Sequence, residues 1–130
     1  MNHIVKYFLV IILILLFSCT KNTEKEKLIN LYNLSKQFTL SEEFKNYLKE
    51  PDEKVRNQLF DKKGEELVKK AGFKNIYEVQ KTEEDLMDDE DIIKIRGEYE
   101  QIREIKIHEA RIEVEQDSLL KLQQKKSSDN

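Results

Sequence analysis

The sequence has few of the residue types on which most catalytic and metal sites depend. It contains only three glycines and no Gly-rich phosphate loop, and no serine stands in the G-x-S-x-G arrangement of a nucleophile elbow. One of its two histidines, His3, lies beside an N-terminal apolar run. The other, His108, is followed four residues later by Ile112 rather than by the second histidine of a metalloprotease helix. We therefore expect no catalytic residues, no metal site and no cofactor, and we predict that the protein is not an enzyme.

An excess of basic residues is also missing. The chain carries 23 lysines and arginines against 26 acidic residues, a formal net charge of −3. Nucleic-acid binding needs a basic face, so we expect no nucleic-acid partner. The hydrophobic share of 38% is inflated by the N-terminal run, which leaves a modest apolar share for the rest of the chain. This composition predicts a single slim domain with a small core.

The N-terminal apolar run reaches from Tyr7 to Phe17 behind a short, weakly basic start. A membrane-spanning helix needs about 20 apolar residues, so this run is short for a span and has the length of a signal peptide. Residues 1–18 are therefore predicted to be a signal peptide that is removed. The alternative is an uncleaved N-terminal anchor.

The run ends in Leu16, Phe17, Ser18 and Cys19, and Cys19 is the only cysteine. This tetrapeptide resembles the lipobox of bacterial lipoproteins. The resemblance implies that signal peptidase recognises Leu16, Phe17 and Ser18, and that Cys19 is joined to diacylglycerol and acylated, for example with palmitate. Two or more acyl chains hold a protein stably on a bilayer. The alternative is an ordinary signal-peptide cysteine near another cleavage site. Lipidation of Cys19 would leave no free thiol.

Beyond Cys19 a polar stretch gives way to apolar residues at helical spacing. Residues 19–27 are expected to be the lipidated cysteine and a flexible tether, and residues 28–125 a helical domain. The tail, residues 126–130, is expected to be frayed. The predicted fold class is all-α: a small bundle of short helices plus one long C-terminal helix.

Three local signals divide the helices. Thr39 is followed three residues later by Glu42, the pattern of a capping box, which predicts a helix start. Pro51 is expected to end that helix, and Gly64 to end the next. Short helices with abrupt corners are therefore expected over residues 39–80.

Seven acidic residues lie between Glu83 and Asp91. A calcium site is one interpretation, but the central glycine and alternating ligands of an EF-hand loop are missing. Thr82 with Asp85 fits a second capping pattern, and clustered acids suit a helix N-terminus. We favour a solvated start to the last helix; calcium, or attraction to a basic partner, stays open.

The C-terminal helix changes its pattern part-way along. Up to Ile102 its apolar residues form one stripe, and beyond it two sets lie on nearly opposite sides. One set is Ile105, Ile112 and Leu119, and the other is Ile107 and Val114 with Ala110 between them. The alternation over residues 104–115 also suits a strand pair, but no Gly, Pro or Asn breaks it into a hairpin. We predict that the side with Ile107, Ala110 and Val114 is the more exposed, and that it binds a partner or a second copy.

The lipobox and the Lys-, Asn-, Ile- and Glu-rich helical body resemble small surface lipoproteins of spirochaetes, especially the Borrelia type. The resemblance implies display on the outer membrane and interaction with a host. The predicted function is a lipid-anchored interaction protein of the cell surface that binds a host or envelope protein. The alternative is a periplasm-facing lipoprotein with a structural or assembly role in the envelope.

Overall fold

The computed structural model describes residues 23–128, and that part of the chain contains helices and no strand. The predicted all-α class, with one long C-terminal helix, is confirmed. The helices are α1 (described over residues 23–39), α2 (Glu42–Lys49), α3 (Glu53–Lys70), α4 (Ile76–Asp85) and α5 (Glu90–Ser128).

Short polar side chains mark the helix starts. Ser41, Asp52 and Asn75 cap α2, α3 and α4, because a side-chain oxygen of each accepts a hydrogen bond from a backbone N–H of the first turn. Asp89 does the same for α5, where its Oδ1 accepts from the N–H groups of Asp91 and Ile92. Each corner of the bundle therefore satisfies backbone donors that would otherwise be unpaired.

Three predicted boundaries are wrong. α3 continues through Gly64 to Lys70 and turns at Gly72, whose φ of 98° lies in the left-handed region. Residues 23–27, predicted to belong to the tether, are helical. They are held by contacts to the bundle: Lys25 forms ion pairs with Asp89 and Asp91 at the start of α5, and the Lys27 ammonium lies over the Phe73 ring. At the other end, α5 includes residues 126–128 of the predicted tail.

The main core lies around the first half of α1. Leu28 and Ile92 are completely buried there, and the C-terminal half of α3 and the middle of α4 pack against them. The remaining buried members are Leu31, Tyr32, Leu67, Val68, Ala71, Phe73 and Val79. Most of the apolar burial that stabilises the fold is therefore concentrated at one end of the bundle.

A second cluster, which we call the aromatic cluster, consists of Phe38, Phe44, Tyr47 and Phe60. Ring centroids lie 5.4–6.3 Å apart in edge-to-face arrangements, which suit the quadrupoles of aromatic rings. The cluster joins the end of α1, the short helix α2 and the middle of α3. It fixes α2 at the opposite end of the bundle from the main core.

Helix α5 runs in the same direction as α1. The ammonium of Lys25, near the described start of α1, lies 2.9 Å from Asp89 and 2.7 Å from Asp91 at the start of α5. Further along, the rings of Tyr32 and Tyr99 are in contact, with centroids 5.9 Å apart. Beyond that, α5 passes α2 and continues. Its last part therefore points away from the first turns of α1.

Candidate interaction surface

The predicted lipidation site lies outside the residues that the structure describes. Leu16, Phe17, Ser18 and Cys19 precede residue 23, so their prediction rests on the sequence.

The side of α5 that was predicted to bind a partner faces α2 instead. Ala110 is buried, with 7% of its surface exposed, and Ile107 is half-buried. Only Val114, at 47%, is exposed. The prediction that this side is the more exposed is therefore wrong. The small Ala110 side chain lets α2 approach closely, and a shallow cleft of about 110 Å³ beside Phe44 is what remains between them.

Ion pairs fasten α2 over this side of α5. The ammonium groups of Lys45 and Lys49 each lie 2.9 Å from the Glu113 carboxylate. The hydrogen bond from Lys45, followed by that from Lys49, lowers the pKa of Glu113 below its usual range. Glu113 thus ties α2 to α5 just before the point beyond which every described α5 side chain, over residues 114–127, is exposed.

The opposite side of α5 carries exposed apolar residues. Ile105, Ile112 and Leu119 are 50%, 39% and 60% exposed, although the sequence prediction gave exposure to the other side. They belong to a longer row with alternating spacings of three and four residues, which we call the outer stripe. It consists of Ile105, His108, Ile112, Glu115, Leu119, Leu122 and Lys126. Such spacing keeps all seven residues on one face of a helix, as in a coiled-coil seam.

Past Glu113, α5 extends beyond the bundle. Every side chain from Val114 to residue 127 is exposed, and we call these 14 residues the arm. At 1.5 Å per residue the arm is about 21 Å long. Its three leucines, Leu119, Leu120 and Leu122, are 55–60% exposed. Exposed leucines on a projecting helix are what a partner helix can cover, so the arm is the strongest candidate for an interaction surface.

A second surface feature is an open groove between α3 and the start of α4. It encloses about 570 Å³ and is lined by Phe60, Val68 and Ile76, with Gly64 on its wall. A Cβ added at Gly64 would meet no atom within 4 Å. Sequence reasoning missed this groove because it treated Gly64 as a helix end rather than as an open place on a helix surface.

The acidic run has structural partners. Glu83 accepts a hydrogen bond from the Tyr32 hydroxyl, and burial, together with this bond, raises the pKa of Tyr32. Asp89 caps α5 and, with Asp91, binds Lys25. Among residues 23–128, no group of acidic, histidine or cysteine side chains is arranged to hold a metal ion. Asp89, Glu90 and Asp91 therefore lie at the start of α5, as predicted, whereas Glu83, Glu84 and Asp85 lie in the last turn of α4, where the prediction of a helix start is wrong.

Comparison with known proteins gives no relative: the chain matches no family model, no curated protein and no solved structure. None of the helices in residues 23–128 is long and apolar enough to cross a membrane.

Proposed function

We propose that this protein is a lipid-anchored interaction protein of the cell surface. In this proposal residues 1–18 are removed and Cys19 carries the lipid. The support is the apolar run that ends in Leu16-Phe17-Ser18-Cys19, because a lone cysteine behind such a run is the acceptor that lipoprotein processing requires. No catalytic step is assigned to any residue.

The observation that carries the interaction role is the direction of α5. Cys19 precedes the described part of α1 by four residues, a reach of at most about 14 Å of extended chain. A lipid at Cys19 would therefore lie near the start of α1, whereas the arm projects beyond the opposite end of the bundle. This polarity suits a protein that holds a helical binding surface away from the membrane. The partner class that fits exposed leucines on a helix is a protein with an apolar helical face.

Labelling with an alkyne-bearing fatty acid tests the anchor. The wild-type protein should take up the label, whereas Cys19→Ala should not. Cys19→Ala should also leave the membrane fraction, unless the leader itself stays as an anchor. Ser18→Ala is the matched control, because it keeps a small residue beside the cleavage site and should still be labelled. Equal labelling of wild type and Cys19→Ala would contradict the proposed anchor.

Trypsin treatment of intact cells tests the display. The arm carries exposed lysines, among them Lys121 and Lys126, so a surface-displayed protein should lose its C-terminal end while a periplasmic control protein stays whole. Cleavage that occurs only after the cells are permeabilised would contradict surface display. That result would favour a structural or assembly role inside the envelope.

A further inference from the structure

Within the arm, the outer stripe is apolar in its middle and carries opposite charges at its two ends. Glu115, Leu119, Leu122 and Lys126 follow one another at spacings of four, three and four residues, and all four side chains are exposed. A helix of about 12–15 residues is marginal on its own in water, so an arm with exposed leucines gains stability from a covering helix. The arm's own sequence supplies such a helix.

We propose that the arm pairs antiparallel with the arm of a second copy of this chain. In an antiparallel pair related by a two-fold axis, Leu119 of one copy packs against Leu122 of the other, and the reverse contact follows from symmetry. Glu115 lies four residues before Leu119, and Lys126 lies four residues after Leu122. The same register therefore places Glu115 of each copy opposite Lys126 of the other. Leu119 and Leu122 of the two copies, four leucines in all, then lie between two ion pairs.

Charge decides between the two directions of pairing. In a parallel pair in register, Glu115 would face Glu115 and Lys126 would face Lys126, so both contacts would be repulsive. In the antiparallel pair both contacts are attractive. The arm is therefore complementary to itself in one direction only.

The expected association is weak. Two helices in contact over about 15 residues bury less area than the roughly 1,200 Å² of a standard stable interface. We expect a monomer–dimer equilibrium for the detergent-solubilised full-length protein. The inference rests on the outer stripe and not on the lipid, so its failure would leave the proposed anchor standing.

Sedimentation equilibrium of the full-length protein in density-matched detergent tests the leucine contact. Leu119→Ser combined with Leu122→Ser should raise the dimer dissociation constant at least about tenfold, because the enclosed apolar surface is lost. Leu120→Ser is the matched control. Leu120 is 55% exposed on the same arm but lies about 100° away from Leu119 around the helix, so its replacement should change the constant less than about twofold. A monomeric wild type, or an equal effect of Leu120→Ser, would overturn the proposal.

Charge reversal tests the direction. Glu115→Lys alone and Lys126→Glu alone should each weaken dimerisation by about three- to tenfold, because each turns two attractive contacts into repulsive ones. The double variant should recover wild-type dimerisation, and so should an equimolar mixture of the two single variants. Failure of the double variant to recover would overturn antiparallel pairing, because the mixture would also gain attractive contacts in a parallel pair. The melting temperature of the bundle should stay constant throughout, since the arm lies outside the core.

Discussion

At the scale of single residues, Tyr32 combines burial with a polar contact. Its ring lies in the main core, and its hydroxyl donates a hydrogen bond to Glu83 on α4. Tyr32→Phe keeps the ring and removes the bond, so the free energy of unfolding should fall by about 1 kcal/mol in chemical denaturation. Tyr77→Phe is the control, because Tyr77 is 70% exposed and its replacement should change stability little. Equal effects of the two substitutions would show that the Glu83 contact does not stabilise the fold.

Asp89 links the stability of the fold to pH. The hydrogen bond from Lys25, with smaller help from the N–H of Ile92, lowers the pKa of Asp89 in the folded state. A carboxyl group with a lowered folded pKa stabilises the fold above its unfolded pKa, and that contribution is lost as pH falls through the folded pKa. Asp89→Asn should therefore lower stability at pH 7 and give a smaller further loss on acidification below about pH 4 than wild type does.

Asparagine is the informative replacement because it caps helices about as well as aspartate, so the substitution removes the charge and keeps the cap. Denaturation at pH 7 and pH 3 measures the effect, with the exposed Asp61→Asn as the control for overall charge. If Asp89→Asn loses as much stability between pH 7 and pH 3 as wild type does, the Lys25–Asp89 pair is not the source of this pH dependence.

The capping patterns in the sequence correctly indicated that helices start in these regions, but they predicted the wrong capping residues. Thr39 and Thr82 each precede an acidic residue by three positions, and both were interpreted as caps. Both instead lie inside helices and donate to the carbonyl four residues back, Thr39 to Ser35 at 2.8 Å and Thr82 to Glu78 at 2.9 Å. A threonine hydroxyl can either cap a helix start or donate to the carbonyl four residues back within a helix, and the local sequence pattern does not distinguish these two roles.

At the scale of elements, α3 shows how a glycine can be misread. Gly64 has open space around it in mid-helix, and the chain turns only at Gly72, where φ is positive. Gly64→Ala should stabilise the protein by up to about 1 kcal/mol, because alanine has the higher helix propensity. Gly72→Ala should destabilise it by about 1–2 kcal/mol, because a Cβ is strained in the left-handed region. Thermal melts of both variants measure this, and effects of the same sign would contradict the assigned ends of α3.

Helix α5 was predictable in its existence but not in its orientation. The two apolar sets on its C-terminal half have similar composition, so periodicity alone could not tell which one faces the bundle. The deciding feature is tertiary: α2 packs where Ala110 offers the least bulk, and Lys45 and Lys49 then reach Glu113. The larger Ile105 and Ile112 therefore lie on the side of α5 that faces away from α2 and are exposed. A small residue within an apolar set is the signal that could have indicated the buried side.

At the scale of the whole molecule, the sequence predicted an all-α domain, and the structure shows in addition that α1 and α5 run in the same direction. The parallel course of α1 and α5 depends on the contacts of Lys25 and Tyr32 with residues more than 60 positions away, which no local pattern encodes. The main core at one end, the aromatic cluster around α2 and the arm beyond it follow in order along that direction. The proposed anchor and the proposed binding surface are thereby separated by the length of the bundle.

The measurement that tests this separation most directly is fluorescence quenching by spin-labelled lipid headgroups. One probe is attached to Glu26→Cys near the described start of α1, and another to Gln124→Cys on the arm; both positions are exposed. The full-length lipoprotein, reconstituted in vesicles, should show strong quenching at residue 26 and little at residue 124. α5 is about 58 Å long at 1.5 Å per residue, so its far end should lie well outside the reach of the headgroups. Quenching at residue 124 that equals or exceeds quenching at residue 26 would contradict the account.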